Sequence, residues 1–179
     1  MLAGYGDFGA LQRIGYGIAS GGTTTFSFQN IPQTFQDLMI VTFTRQATST
    51  GNVIYCRLNG TSYNHSTTFL LGNGSAATST RQTGGTDGFM QIGLTVASNA
   101  TTGFFGSGIA HILNYRGNTN KTMLSRTAAD LNGSGGTRLQ VSMGQITSAI
   151  TSLEVVTDGI TPFSDGSTAA LYGVKASAA

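Results

Sequence analysis

The sequence predicts an all-β fold: an antiparallel β-sandwich of jelly-roll type with an extended N-terminal arm. Three observations carry this. Val, Ile, Phe, Tyr and Thr recur in short runs, several of them alternating between apolar and polar positions as a half-buried strand does. Turn signals rich in Gly, Asn and Ser separate the runs. Only 9% of the 179 residues are charged and 26 are Gly, so the surface is built of hydroxyls and amides rather than ion pairs. A chain of this length forms one domain with a real core. A disordered chain would carry more charge or Pro, and fewer β-branched and aromatic residues.

Residues 1–22 read as the arm. Gly4, Gly6, Gly9, Gly15, Gly17, Gly21 and Gly22 argue against a helix. The interleaved Leu2, Tyr5, Phe8, Leu11, Ile14, Tyr16 and Ile18 argue against a free linker. An extended segment docked on another surface satisfies both, and these seven side chains are its expected contacts. Gly4–Gly9 (GYGDFG) is formally G-x-G-x-x-G, but three preceding residues leave no room for the strand that a dinucleotide fingerprint needs. The opening stretch lacks a basic region followed by an apolar one, so no signal peptide is expected.

Residues 23–179 are the expected β domain. Thr23–Phe28 alternates, and Leu38–Thr44 is a denser apolar run. Pro32 cannot donate to a ladder and stops the first strand. Asp37 can bond back to nearby backbone before the second strand begins. Ile31 and Phe35 are the apolar side of a loop that caps one end of the sandwich. Val53–Leu58 follows, and Asn59-Gly60 signals a hairpin to Thr61–Leu71. Gly72 to Asp87 reads as a long polar loop, of a length that is uncommon inside a compact domain and often functional. The remaining strands are expected at Phe89–Val96, Gly103–Asn114, Lys121–Ala129 (with a helix as the alternative), Arg138–Gln145, Ser152–Thr157 and Thr168–Val174. Their unequal connections suit two four-stranded sheets joined by crossing loops. Phe26, Phe28, Leu38, Ile40, Ile92, Leu94, Ile112, Leu153, Val155, Leu171 and Val174 are the expected core.

Chemistry is sparse. The net charge of +2 is scattered, with no basic block for a nucleic acid, and no apolar run approaches a membrane span. Cys56 is the single cysteine, which excludes an intramolecular disulfide and reads as a small buried hydrophobe. His65 and His111 have no second His, Cys or carboxylate at metal-ligand spacing, and His111 reads as a satisfied structural histidine. No G-x-S-x-G occurs, although a triad made by the fold stays open. Glu154 is the only Glu, whereas glycosidase chemistry needs two placed carboxyls. Asp158 and Asp165 bracket one loop, read as solvated turn carboxylates with a cation site as the alternative. No catalytic residue, metal or cofactor is expected, and the chain reads as a non-enzyme.

An ordered set of short motifs points to a family. Phe26-Ser27-Phe28 is followed by Ile31-Pro32-x-Thr34-Phe35-x-Asp37-Leu38, Leu58-Asn59-Gly60 with Tyr63, and Leu71-Gly72-Asn73-Gly74-Ser75. Ile112-Leu113-Asn114-Tyr115 with Lys121-Thr122, then Ile150-Thr151-Ser152-Leu153, then Gly166 through Lys175 complete it. The set resembles small jelly-roll-like virion structural proteins of tailed bacteriophages, over a span from Leu11 to Ala176. The resemblance implies a structural role without catalytic residues. It implies a capsid decoration or cement protein on the capsid exterior, a homotrimer that contacts the major capsid protein and braces the shell. The alternative is a tail-fibre or tail adaptor domain, associated with tail proteins, that binds a host surface glycan. No nucleic-acid or membrane partner is implied. A surface with few charges also suits close packing between subunits, since little charge must be desolvated there.

Overall fold

The computed structural model describes residues 10–49 and 52–176. The described residues form β1 (Leu11–Ile18), β2 (Thr25–Phe28), β3 (Asp37–Thr44), β4 (Val53–Leu58), β5 (His65–Gly72), β6 (Ala77–Thr83) and β7 (Phe89–Leu94). They continue with β8 (Gly106–Leu113), β9 (Lys121–Asp130), β10 (Gly135–Gly144), β11 (Leu153–Thr157) and β12 (Thr168–Val174), with one 3-10 turn at Asp158–Ile160. The strands build two antiparallel sheets. The larger runs β1-β12-β3-β8-β9-β10-β5-β6, and the smaller runs β2-β11-β4-β7.

The two sheets face each other across one core, as the alternation requires. In β3, Leu38, Ile40, Thr42 and Thr44 point inward and are buried, while Met39, Val41 and Phe43 face out. Opposite them, the small sheet contributes Phe26, Phe28, Ile54, Cys56, Leu58, Met90, Ile92, Leu153 and Val155. Of the expected core, Leu94 and Val174 are half-buried and the rest are buried.

The partition is eight strands and four, not four and four. Two strands enlarge the larger sheet. One is β6, which pairs with β5 inside the stretch expected as a long polar loop. The other is β1, which pairs with β12 at the opposite edge. Leu11, Ile14, Tyr16 and Ile18, expected in a docking arm, therefore lie in an edge strand of the protein's own sheet. The reason is steric. The rings of Phe28 and Phe26 occupy the places where a Cβ on Gly15 or Gly17 would stand, 2.6 and 2.8 Å away. The glycines that argue against a helix are what let a strand lie over two core rings. The β domain thus includes β1 and does not start at residue 23. Leu2, Tyr5, Phe8 and the Gly4–Gly9 motif lie outside the described residues.

The expected β4–β5 hairpin does not form. Asn59 and Gly60 have the positive φ of a tight turn, 54° and 61°. Yet β4 pairs with β11 and β7, and β5 pairs with β10 and β6. The chain crosses between sheets here because Asn59 is tied elsewhere. Its Nδ2 donates to Ala149 O at 2.9 Å, and its Oδ1 accepts from Thr151 N at 2.9 Å and Ser152 N at 3.2 Å.

Similar ties close that end of the sandwich. Asp37 Oδ1 accepts from Asn114 N at 2.6 Å, and its Oδ2 lies 3.2 Å from His111 Nε2, the structural partner expected for that histidine. Buried Tyr115 donates its hydroxyl to Pro32 O. Ile31 N donates to Thr151 O, and Ile150 N to Tyr115 O, both at 2.9 Å. Lys121 is fully buried, and its Nζ donates to Gly117 O at 2.8 Å and Thr119 O at 2.7 Å. Phe35 lies against Gly173, where a Cβ would fall 2.2 Å from the ring.

Candidate binding cleft

The larger sheet overhangs the smaller one. Strand β7 is the outer strand of the small sheet, and β5 and β6 continue past it. An outer strand carries unpaired backbone groups, which cannot be left bare in an interior. The larger sheet supplies their partners from side chains. Ser142 Oγ donates to Gln91 O at 2.9 Å, joined by Gln140 Nε2. Ser125 Oγ donates to Ile92 O at 2.7 Å, and Leu94 N donates to Thr127 Oγ1 at 2.8 Å. That is why the inward positions of β9 and β10 are polar here and buried nonetheless.

Between β7 and the overhang lies a cleft of about 780 Å³. Tyr55, Phe89 and Gln91 line it from the small sheet, His65, Thr67, Arg81 and Gln82 from β5 and β6, and Asp87, Thr157 and Asp158–Ile160 from the rim. Its floor is held in place. Arg138 Nη2 donates to Gln91 Oε1 at 2.6 Å, and Gln91 Nε2 donates in turn to Gln82 Oε1. The buried guanidinium lies 3.5 Å from the centre of the Phe69 ring. Burial lowers the Arg138 pKa to about 10, so it remains charged at neutral pH.

The rim carries both apolar and charged groups. The Tyr55 and Phe89 rings meet edge to face, 6.3 Å apart at 79°. Burial, and after it the Asp158 carboxylate, push the Tyr55 hydroxyl pKa up, which keeps it a donor. His65 Nε2 lies 2.7 Å from Asp87 Oδ1, which also accepts from Phe89 N at 3.2 Å. Ile160 is 44% exposed with a φ of 54°. A β-branched residue in the left-handed region is strained, at a cost of about 1–3 kcal/mol, and such strain gathers at functional sites. Amides, hydroxyls and carboxylates beside two rings can grip a polar ligand that has an apolar face.

The sequence marked the Gly72 to Asp87 stretch as an unusually long polar loop and Asp158 as one of two loop carboxylates, but not the cleft that they share. His65 and Asp87 stand 22 positions apart and meet across the β5–β6 hairpin. Asp158 lines the cleft, whereas Asp165 accepts from Gly21 N at 3.0 Å. Cys56 is buried as expected, its thiol pushed up to about 12 by desolvation. Leu11, Tyr16 and Ile18 are exposed on β1 and Ile14 packs against the core, all away from the cleft.

A second surface is the outer face of the larger sheet. Leu139 stands opposite Leu70, and Val141 opposite Leu124. All four are exposed, as is Phe43, which stacks on Phe105 at 4.7 Å and 14°. Neither a family model nor a curated protein matches the chain.

Proposed function

We propose that the chain is a virion structural protein of a tailed bacteriophage, a homotrimeric capsid decoration protein that binds the major capsid protein and braces the shell from outside. The observation that carries this reading is where the residues resembling those virion proteins lie. Ile31, Pro32, Phe35, Asp37, Asn59, Asn114, Tyr115 and Ile150 through Ser152 all serve the closed end of the sandwich. None of them lines the cleft. A shared pattern that builds a frame suits a part selected for shape and assembly. The apolar strip on the outer face supplies a surface for close contact with neighbouring subunits.

The cleft favours the second reading, a tail-fibre or tail adaptor domain that contacts a host glycan. Copy number separates the two. Quantitative mass spectrometry of particles purified from the source should give copies on the scale of the capsid lattice. Copies on the scale of a tail fibre would overturn decoration in favour of the tail. Absence from particles would overturn both.

A further inference from the structure

We propose that the cleft between β7 and the β5–β6 overhang is a saccharide-binding site that takes a neutral, pyranose-containing glycan. The inference does not rest on a virion role, since the cleft residues are not those that carry the phage resemblance.

Size, chemistry and preorganisation point the same way. A volume of about 780 Å³ falls inside the range of small-ligand sites. A pyranose has one face rich in C–H bonds and a rim of hydroxyls. Tyr55 and Phe89 supply aromatic surface for the first, and Gln82, Gln91 and Asp158 supply amide and carboxylate partners for the second. These groups are not loose. Gln91 is gripped on one side by Arg138, whose charge is buried, and on the other by Gln82. A polar floor fixed before the ligand arrives loses little freedom on binding. Ile160, exposed and held in the left-handed region, puts strained apolar surface on the same rim.

Charge selects a neutral ligand. The carboxylates of Asp87 and Asp158 stand in the lining, the Arg138 guanidinium lies beneath Gln91, and Arg81, in register with Thr68, sits on the outer face of its strand. An anionic sugar would meet both carboxylates. Backbone chemistry argues against an extended peptide added to β7. Such a peptide would need a free ladder edge, and Gln91 O, Ile92 O and Leu94 N of β7 are already engaged by Ser142, Ser125 and Thr127.

The test is nuclear magnetic resonance on the full chain, reading the side-chain amides of Gln82 and Gln91. The probes are maltotriose, cellotriose, chitotriose and lactose, each at millimolar concentration, with glucuronic acid as the anionic probe. At least one neutral saccharide should shift both amides saturably, and glucuronic acid should not. Gln82→Ala and Asp158→Asn, both at exposed positions, should each weaken that binding by about tenfold or more while the melting temperature holds. Ser107→Ala on the far face of the sheet should leave it unchanged. No shift with any neutral probe, a response to glucuronic acid alone, or binding that both cleft variants leave intact would overturn the assignment.

Discussion

Asp37 shows how much one side chain holds at the closed end. Its carboxylate accepts from Asn114 N and faces His111. Asp37→Ala removes a carboxylate acceptor from a partly buried N–H, so unfolding in urea should show a loss of about 1–3 kcal/mol, the worth of a hydrogen bond to a charged group. A loss below about 0.5 kcal/mol, the level of an ordinary surface change, would contradict this. Cys56 makes a second residue-scale prediction. Burial favours its neutral thiol and raises its pKa from 9.0 to about 12. The folded state therefore holds a proton that the unfolded state gives up. The resulting stabilisation is complete below pH 9.0 and disappears as pH rises toward about 12. Cys56→Val should lack that slope when its stability is subtracted from that of the parent across this range. The native thiol should also resist alkylation until the chain unfolds; rapid labelling of folded protein would count against its burial.

At the scale of elements, β7 has an unusual arrangement: an outer strand whose backbone is satisfied by side chains of the facing sheet. Removing one of those side chains should be costly despite its small size. Ser125→Ala orphans Ile92 O, with an expected loss of about 1–3 kcal/mol. Ser107→Ala, on the exposed face of the same sheet, should stay within about 0.5 kcal/mol. Equal effects in the denaturation curves would show that β7 does not depend on this bonding. Strand β1 sets up another comparison. Deleting residues 1–22 removes the strand that covers Phe26 and Phe28, and so should lower the melting temperature. Deleting residues 1–9 leaves β1 in place. The shorter deletion is therefore the clean test of Leu2, Tyr5 and Phe8 as assembly contacts. If particles take up that truncated chain as readily as the full one, those residues are not the anchor.

For the whole molecule, the outer face of the larger sheet decides the association prediction. Leu139 and Leu70 are 58% and 56% exposed and directly opposed, with Val141 and Leu124 beside them. Arg126 is the charged residue in register with Leu139. An apolar centre with few charges has the make-up of an interface core, and a second copy of the chain is the occupant the trimer reading requires. Sedimentation equilibrium at micromolar concentration should give a trimer, and Leu139→Glu with Leu70→Glu should shift it to monomer. A parent chain that is only monomeric would remove this reading. An unchanged trimer in the double variant would move the interface elsewhere.

Local pattern determined most of the strands. Val53–Leu58 and Thr168–Val174 form at the residues their composition marks, because alternation and turn residues act over a few positions. Burial of Ile31, Phe35, Cys56 and most of the expected core was legible for the same reason. Pairing was not. Asn59-Gly60 has the backbone of a hairpin turn, yet its strands enter different sheets, because Asn59 bonds to a segment about 90 positions away. Strand β6 hid in a polar loop: it is an exposed edge, so its sequence carries no apolar alternation. Gly15 and Gly17 keep the two-residue spacing of a strand face, but only the rings beneath explain why that face is glycine. The cleft shares this origin. Gln82, Gln91, Arg138 and the His65–Asp87 pair come from four strands and a loop, and each looks ordinary in its own neighbourhood. A residue's own surroundings in the chain set which face it takes. Which strand it meets depends on contacts between residues far apart in sequence, and those exist only once both sheets have closed.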